Sequence, residues 1–146
     1  MIAYCTMSTI THMIPFRITF ETGIPIHEQV VYAAKKALVS GKLQPGEPFP
    51  SVRALSRALK INPNTAHKVI GQLIADGLIE VQPGLGTVVA DKPPSTAVER
   101  THLLKNELEQ LVVEAKRLGL ELDEITNAMA DHWYRLQDVA RSTKKR

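Results

Sequence analysis

Ser51 and Asn62 stand eleven residues apart and each heads a helical pattern, so only Lys60 and Ile61 remain to join the two helices. Ser and Asn at a helix start accept hydrogen bonds from the free N–H groups of the first turn, and Pro63 fits the first helical position, where its missing N–H costs nothing. The spacing predicts a short helix from Ser51 to about Leu59 and a second from Pro63, turned sharply against each other because two residues leave no slack. In the second helix Ala66, Val69, Ile70, Leu73 and Ile74 form an apolar stripe that stops at Gly77.

The flanking sequence extends this pair into one compact unit over residues 15–90. FRITF (16–20) alternates and predicts a short strand. After Pro25, the apolar residues Ile26, Val30, Ala33, Ala34, Ala37 and Leu38 recur at helical steps as far as Gly41. The Pro- and Gly-rich stretch LQPGEPFP (43–50) reads as a connector. Beyond Gly77, LIEVQ (78–82), PGLG (83–86) and TVVA (87–90) predict two strands around a four-residue loop.

Residues 91–97 have the composition of a linker, and a second region follows over 98–140. Thr96 and Glu99 form a capping-box pattern that opens a helix with Leu104, Leu108, Leu111, Ala115 and Leu118 on one stripe, broken at Gly119. A further helix from about Asp123 carries Ile125, Met129, Trp133, Leu136 and Ala140. Two such helices cover only one face of each other, so their stripes need another surface to complete their burial.

Charge divides along the same line. Residues 15–92 hold nine Lys/Arg against six Asp/Glu, a net +3, whereas residues 98–140 hold five against nine, a net −4; the last six residues, 141–146, add four positive charges as a basic tail. No apolar run approaches the ~20 residues that a membrane helix needs. Residues 1–14 lack a basic region and a small-residue cleavage pattern, so they are expected to be a flexible tail rather than a signal peptide, with Met7 and Met13 as alternative starts. Cys5 is the single cysteine, which excludes an internal disulfide and fits a reducing, cytoplasmic setting. The five histidines, His12, His27, His67, His102 and His132, show no paired-ligand spacing, and no nucleophile motif is present. The expectation is no enzyme, no cofactor and no metal.

Once the buried stripe of the second helix of the pair is assigned, Asn64, Thr65, His67 and Lys68 are left pointing outward near its start. Asn can pair with both N6 and N7 of adenine, a Thr methyl can touch the thymine methyl, and a helix N-terminus offers free N–H groups to a phosphate. Taken singly, Asn-Pro-Asn-Thr is equally a helix cap, and Arg53 and Arg57 are equally solvated surface charges.

The run from Pro25 to Ala90 resembles the winged helix-turn-helix of GntR-family transcription regulators through PIHEQV, SGKLQPGEPFPSVRALSRAL, INPNTAHKVIGQLIADGLIE and VQPGLGTVVA. The resemblance implies a mainly α fold with a small β-hairpin, followed by a C-terminal two-helix dimerisation hairpin. It also implies DNA contacts from Arg53, from Asn62, Pro63, Asn64 and Thr65, and from Gly84 and Gly86 at the wing tip; Ser51, Arg57, His67 and Lys68 are added as DNA contacts by their own place on the two helices. Two departures stand out: many members carry arginines where this chain has Pro63 and His67, and a glycine where it has Lys60. The NPNT segment and the two closing helices look like the YtrA-type branch, whose members are dimeric repressors that often control transporter operons. On that basis the partners are double-stranded DNA with an inverted-repeat operator and a second copy of the chain, through Leu104, Leu108, Leu111, Leu118, Ile125, Met129, Trp133 and Leu136, and no membrane.

Two rival readings remain open at this stage. One is a winged-helix module that binds a protein instead of DNA; an acidic outer face on the helix from Pro63 would favour it, and Lys68 stands there instead. The other keeps DNA binding and adds a small-molecule sensor at the dimer interface, lined by Met129, Trp133 and Tyr134.

Overall fold

The structure, a computed structural model, describes residues 14–91 and 95–143. Residues 1–13 of the tail expected over 1–14, with Cys5 and His12, the centre of the linker and the last three residues of the basic tail lie outside the described residues. The chain divides into two compact units, one of residues 1–92 together with 139–146 and one of residues 93–138.

In the first unit α1 (Ile26–Val39), α2 (Val52–Leu59) and α3 (Pro63–Ala75) are followed by β1 (Ile79–Gln82) and β2 (Gly86–Val89). α3 packs against both other helices. Val30, Ala34, Leu55, Ala66, Val69, Leu73 and Ile79 are its fully buried centre. Ile26 and Ile74, expected in the buried stripes, are exposed. Ile26 opens α1 ahead of its first buried residue, Val30, and Ile74 lies on the flank of α3 beside the packed line through Ile70 and Leu73. Ile14, the last residue assigned to the tail, packs against the core.

The strand expected over 16–20 does not form. Phe16 is buried and stacks on Phe49 with ring centroids 6.4 Å apart. One side chain does locally what a partner strand would do: Gln29 Oε1 accepts the Glu21 N–H at 2.8 Å, and its Nε2 donates to the carbonyls of Glu21 at 3.0 Å and Ile24 at 2.8 Å.

The stretch read as a connector pairs with the hairpin. Gly46 N–H donates to the Val89 carbonyl, Val89 N–H to that of Glu47 and Phe49 N–H to that of Thr87, each at 2.8 Å. Pro48 bridges Val88. A proline has no donor to give, and it is tolerated at a sheet edge where none is required. At the other end of the hairpin the Gln82↔Gly86 pair leaves three loop residues, not four. Pro83 and Gly84 make a turn closed by the Leu85 N–H on the Gln82 carbonyl at 3.1 Å. Gly84 has φ +82° and Gly86 φ +84°, a geometry that glycine adopts without the steric penalty a Cβ brings.

In the second unit the capping box is present in full. Glu99 N–H donates to Thr96 Oγ1 at 3.2 Å, and the Thr96 N–H returns a bond to Glu99 Oε2 at 2.8 Å. The bond from the Thr96 N–H, and then the one its hydroxyl donates to Glu99 Oε2 at 2.9 Å, hold the Glu99 carboxyl below its ordinary pKa. The expected continuous helix is interrupted: α4 (Ala97–His102) passes through a π-helical turn (Leu103–Glu107) into α5 (Leu108–Arg117). The wider turn brings residues five apart onto one side, so His102 Nδ1 lies 3.7 Å from Glu107 Oε1. α5 ends at a bond from Leu120 N–H to the Ala115 carbonyl at 2.9 Å, and α6 (Leu122–Thr143) follows.

Candidate nucleic-acid interface

The interface is built from two helix starts and a hairpin tip. Ser51 Oγ accepts the Ala54 N–H at 3.1 Å, and Asn62 Oδ1 accepts the Asn64 N–H at 2.8 Å, so both side chains are spent fixing where α2 and α3 begin. Pro63 occupies the first position of α3. Between the helices Lys60 has φ 54° and ψ 44°, the left-handed conformation, and is the one non-glycine with positive φ among the described residues. The strain costs roughly 1 kcal/mol. It is offset by the joint it closes, in which Ile61 N–H donates to the Ser56 carbonyl at 3.1 Å and Ser56 Oγ donates to the Ile61 carbonyl at 2.7 Å.

Burial divides α3 cleanly. Ala66, Val69, Ile70 and Leu73 face the core; Asn64, His67 and Lys68 are exposed and Thr65 is half-buried. Arg53 and Arg57 are exposed on α2, and Gly84 and Gly86 are exposed at the hairpin tip. Among the described residues Arg53, Arg57, Lys60 and Lys68 form no ion pair, whereas Lys35, away from this face, is paired with Asp76 at 2.8 Å. The free cations of the unit thus include those on the helix pair, where they are open to an anionic partner. Sequence reasoning treated Lys60 as a backbone position only. Its charge beside the N-cap of α3 was the available signal, and the exposed Val81 and Leu85 of the hairpin had none.

The second unit shows what two helices leave uncovered. Of its described side chains only Ala115 is buried, with Leu108, Ile125 and Leu136 half-buried. Leu104 remains 64% exposed, Leu118 62%, Trp133 65%, Leu111 48% and Met129 45%. Leu103, Val112, Leu120 and Tyr134, which the stripes did not include, are exposed as well. The π turn shifts the helical phase only for Leu104, ahead of α5; within α5 Leu108, Leu111 and Ala115 keep their helical spacing. Among the described residues no group of His, Cys, Asp and Glu is placed to hold a metal, and no helix is long and apolar enough to cross a membrane.

Comparison with known proteins agrees with this geometry. The family profile described as "Bacterial regulatory proteins, gntR family" matches residues 26–89, from α1 through β2. Over 105 residues the chain is 35% identical to the HTH-type transcriptional repressor YtrA of Bacillus subtilis (strain 168), a match covering 71% of this chain and 81% of that protein. It is 32% identical over 106 residues to the HTH-type transcriptional regulator YhcF of the same organism, covering 73% of this chain and 88% of that one. Among solved structures, a transcriptional antiterminator from Listeria monocytogenes EGD-e superposes with a TM-score of 0.71 at 28% identity, covering 86% of this chain and 92% of that one. These relatives are transcription proteins, not enzymes, and their coverage runs past the hairpin into the second unit. A helix-turn-helix with open cations, a glycine-tipped wing and this degree of likeness make the chain a member of the GntR family, a DNA-binding transcriptional regulator.

Proposed function

We propose that the chain is a homodimeric repressor that acts in the cytoplasm on an inverted-repeat operator in double-stranded DNA. α3 enters the major groove, where Asn64 and Thr65 meet base edges and His67 lies beside them. Arg53, Arg57 and Lys68 contact phosphates, which fix register without reading sequence. Ser51, Asn62 and Pro63 serve by setting the helix starts, whose remaining N–H groups face phosphate. Gly84 and Gly86 let the wing backbone approach the minor groove. By likeness to the YtrA-type branch, the controlled operon encodes a transporter.

The observation that carries this reading is the outer face of α3, polar and basic, where Lys68 has no ion-pair partner among the described residues. The protein-docking alternative has no acidic or apolar face there to support it. The dimer reading draws on the large apolar side chains that the second unit leaves exposed, Leu104, Leu111, Leu118, Met129 and Trp133 among them. Selection of duplexes from a random library by the full-length protein tests the whole. The expected product is a near-palindrome whose half-sites lie about 34–36 Å apart or a multiple of that. A selected motif without dyad symmetry removes the dimeric reading, and no enrichment at all removes sequence-specific binding.

A further inference from the structure

Gly71 lies in the interior of α3, exposed, with helical residues on both sides. A glycine in that position costs about 0.5–1 kcal/mol relative to alanine, because its backbone loses more freedom on folding. The two usual reasons for such a glycine are absent. It is not among the residues with positive φ, and a Cβ built on it meets nothing within 4 Å. The fold itself has no requirement for glycine here.

Its place on the helix indicates what does. Opposite the buried line of Ala66, Val69, Ile70 and Leu73, the outward line runs through Asn64, Lys68 and Gly71 at steps of four and three. An amide and an ammonium that has no ion pair among the described residues precede the point where the side chain is missing. We propose that Gly71 is where α3 lies closest to the DNA: the bare helix backbone comes against the sugar-phosphate wall of the major groove, and this sets the depth at which Asn64 and Thr65 reach base edges. The inference rests on the reading of α3 as the groove-entering helix and refines it. Lys68, less than a turn earlier on the same line, gives that approach a cation suited to a phosphate, which an apolar or basic protein surface would not match.

Full-length Gly71→Ala and Gly71→Leu proteins test it, titrated against a duplex selected by the wild-type chain from random sequence and against an unrelated duplex of equal length. Both variants should melt at higher temperature, since each places a better helix former in open space. Affinity for the selected duplex should fall about tenfold for alanine and further for leucine, as base contacts are lifted out of range. Affinity for the unrelated duplex should change by less than about twofold, because phosphate contacts without fixed register persist. Variants that bind the selected duplex as tightly as wild type overturn the proposal. Equal losses on both duplexes, or a fall in melting temperature, overturn it as well, the latter because the added side chain would then be meeting the fold. A wild-type chain that selects no duplex removes the DNA reading on which the proposal stands, a result the variants cannot mimic.

Discussion

The Lys35 ammonium lies 2.8 Å from Asp76 Oδ2 and ties α1 to the C-terminal end of α3, where Gln72 Nε2 also donates to Asp76 Oδ1 at 2.9 Å. The Lys35 hydrogen bond is the main cause that holds the Asp76 carboxyl below its ordinary pKa, with Gln72 adding to it and partial burial opposing. A carboxylate whose folded pKa lies below its unfolded one stabilises the fold at pH above the unfolded value, about 3.9, and that contribution fades as pH falls through the folded value. The side chains are 47% and 27% exposed, so solvent screening limits the pair to about 0.2–1 kcal/mol. Asp76→Asn should therefore lower the unfolding free energy read from urea titration at pH 7 by that small amount, and the gap to wild type should close as pH falls from the unfolded value through the lowered folded one. A gap that is constant across the whole range would show that the charge of Asp76 is not what stabilises the contact.

Lys60 gives a prediction of opposite sign. Gly at a left-handed position removes roughly 1 kcal/mol of steric strain but enlarges the freedom of the unfolded chain, which returns about half of it. Lys60→Gly should stabilise the first unit by about 0.5 kcal/mol, while Lys60→Ala, which keeps the strain, should not. Thermal melts of both variants decide it, and equal gains from the two would place the effect in the lysine side chain instead of the backbone.

The caps account for most of what was legible in advance. Ser51, Asn62 and Thr96 each accept the bond that their position predicted, because a cap depends on neighbours two or three residues away. What stayed hidden depends on distant partners. Nothing local in LQPGEPFP tells that Gly46, Glu47 and Phe49 meet β2, and its prolines argue against it. FRITF alternates as a strand does, yet alternation cannot supply a neighbouring strand, and Phe16 finds Phe49 instead. In the interface, the outward set on α3 followed from the buried one, whereas the left-handed Lys60 and the open space before Gly71 needed coordinates.

On DNA, the division between positioning and reading has separable consequences. Operator affinity should fall steeply between 50 and 200 mM salt, on the order of tenfold or more, because Arg53, Arg57 and Lys68 displace condensed counterions. Lys68→Ala should weaken all duplexes alike and reduce the slope of log affinity against log salt by about one per half-site, about two for the dimer. Asn64→Ala should leave that slope unchanged and relax preference at one base position, at a cost of about 1–3 kcal/mol on the best site. Binding that is insensitive to salt, or two variants with the same uniform loss, would undo the assignment of roles.

A fragment ending near Lys92 should fold, remain monomeric and lose most of its affinity for an inverted repeat. It should fold because the described core centred on Leu55, Val69, Leu73 and Ile79 is built from residues ahead of the cut. It should be monomeric because the side chains assigned to the seam, among them Leu104, Leu111, Leu118, Met129 and Trp133, lie beyond the cut. A second copy is the simplest cover for them, since an isologous pairing buries the same face of both chains and sets two recognition helices on one side of the duplex. Linked half-sites bind together at a high effective concentration, so severing the link lowers operator affinity by about 100-fold or more while every DNA-contacting residue stays in place. Replacing Leu108 and Leu111 together by Asp should have the same effect in the intact chain, because unpaired carboxylates are costly in a closed apolar seam. Sedimentation measures the first half of this expectation and operator titration the second. A dimeric fragment, or a monomer that holds the full operator as tightly as the intact protein, would take the helices beyond Thr96 out of the binding mechanism.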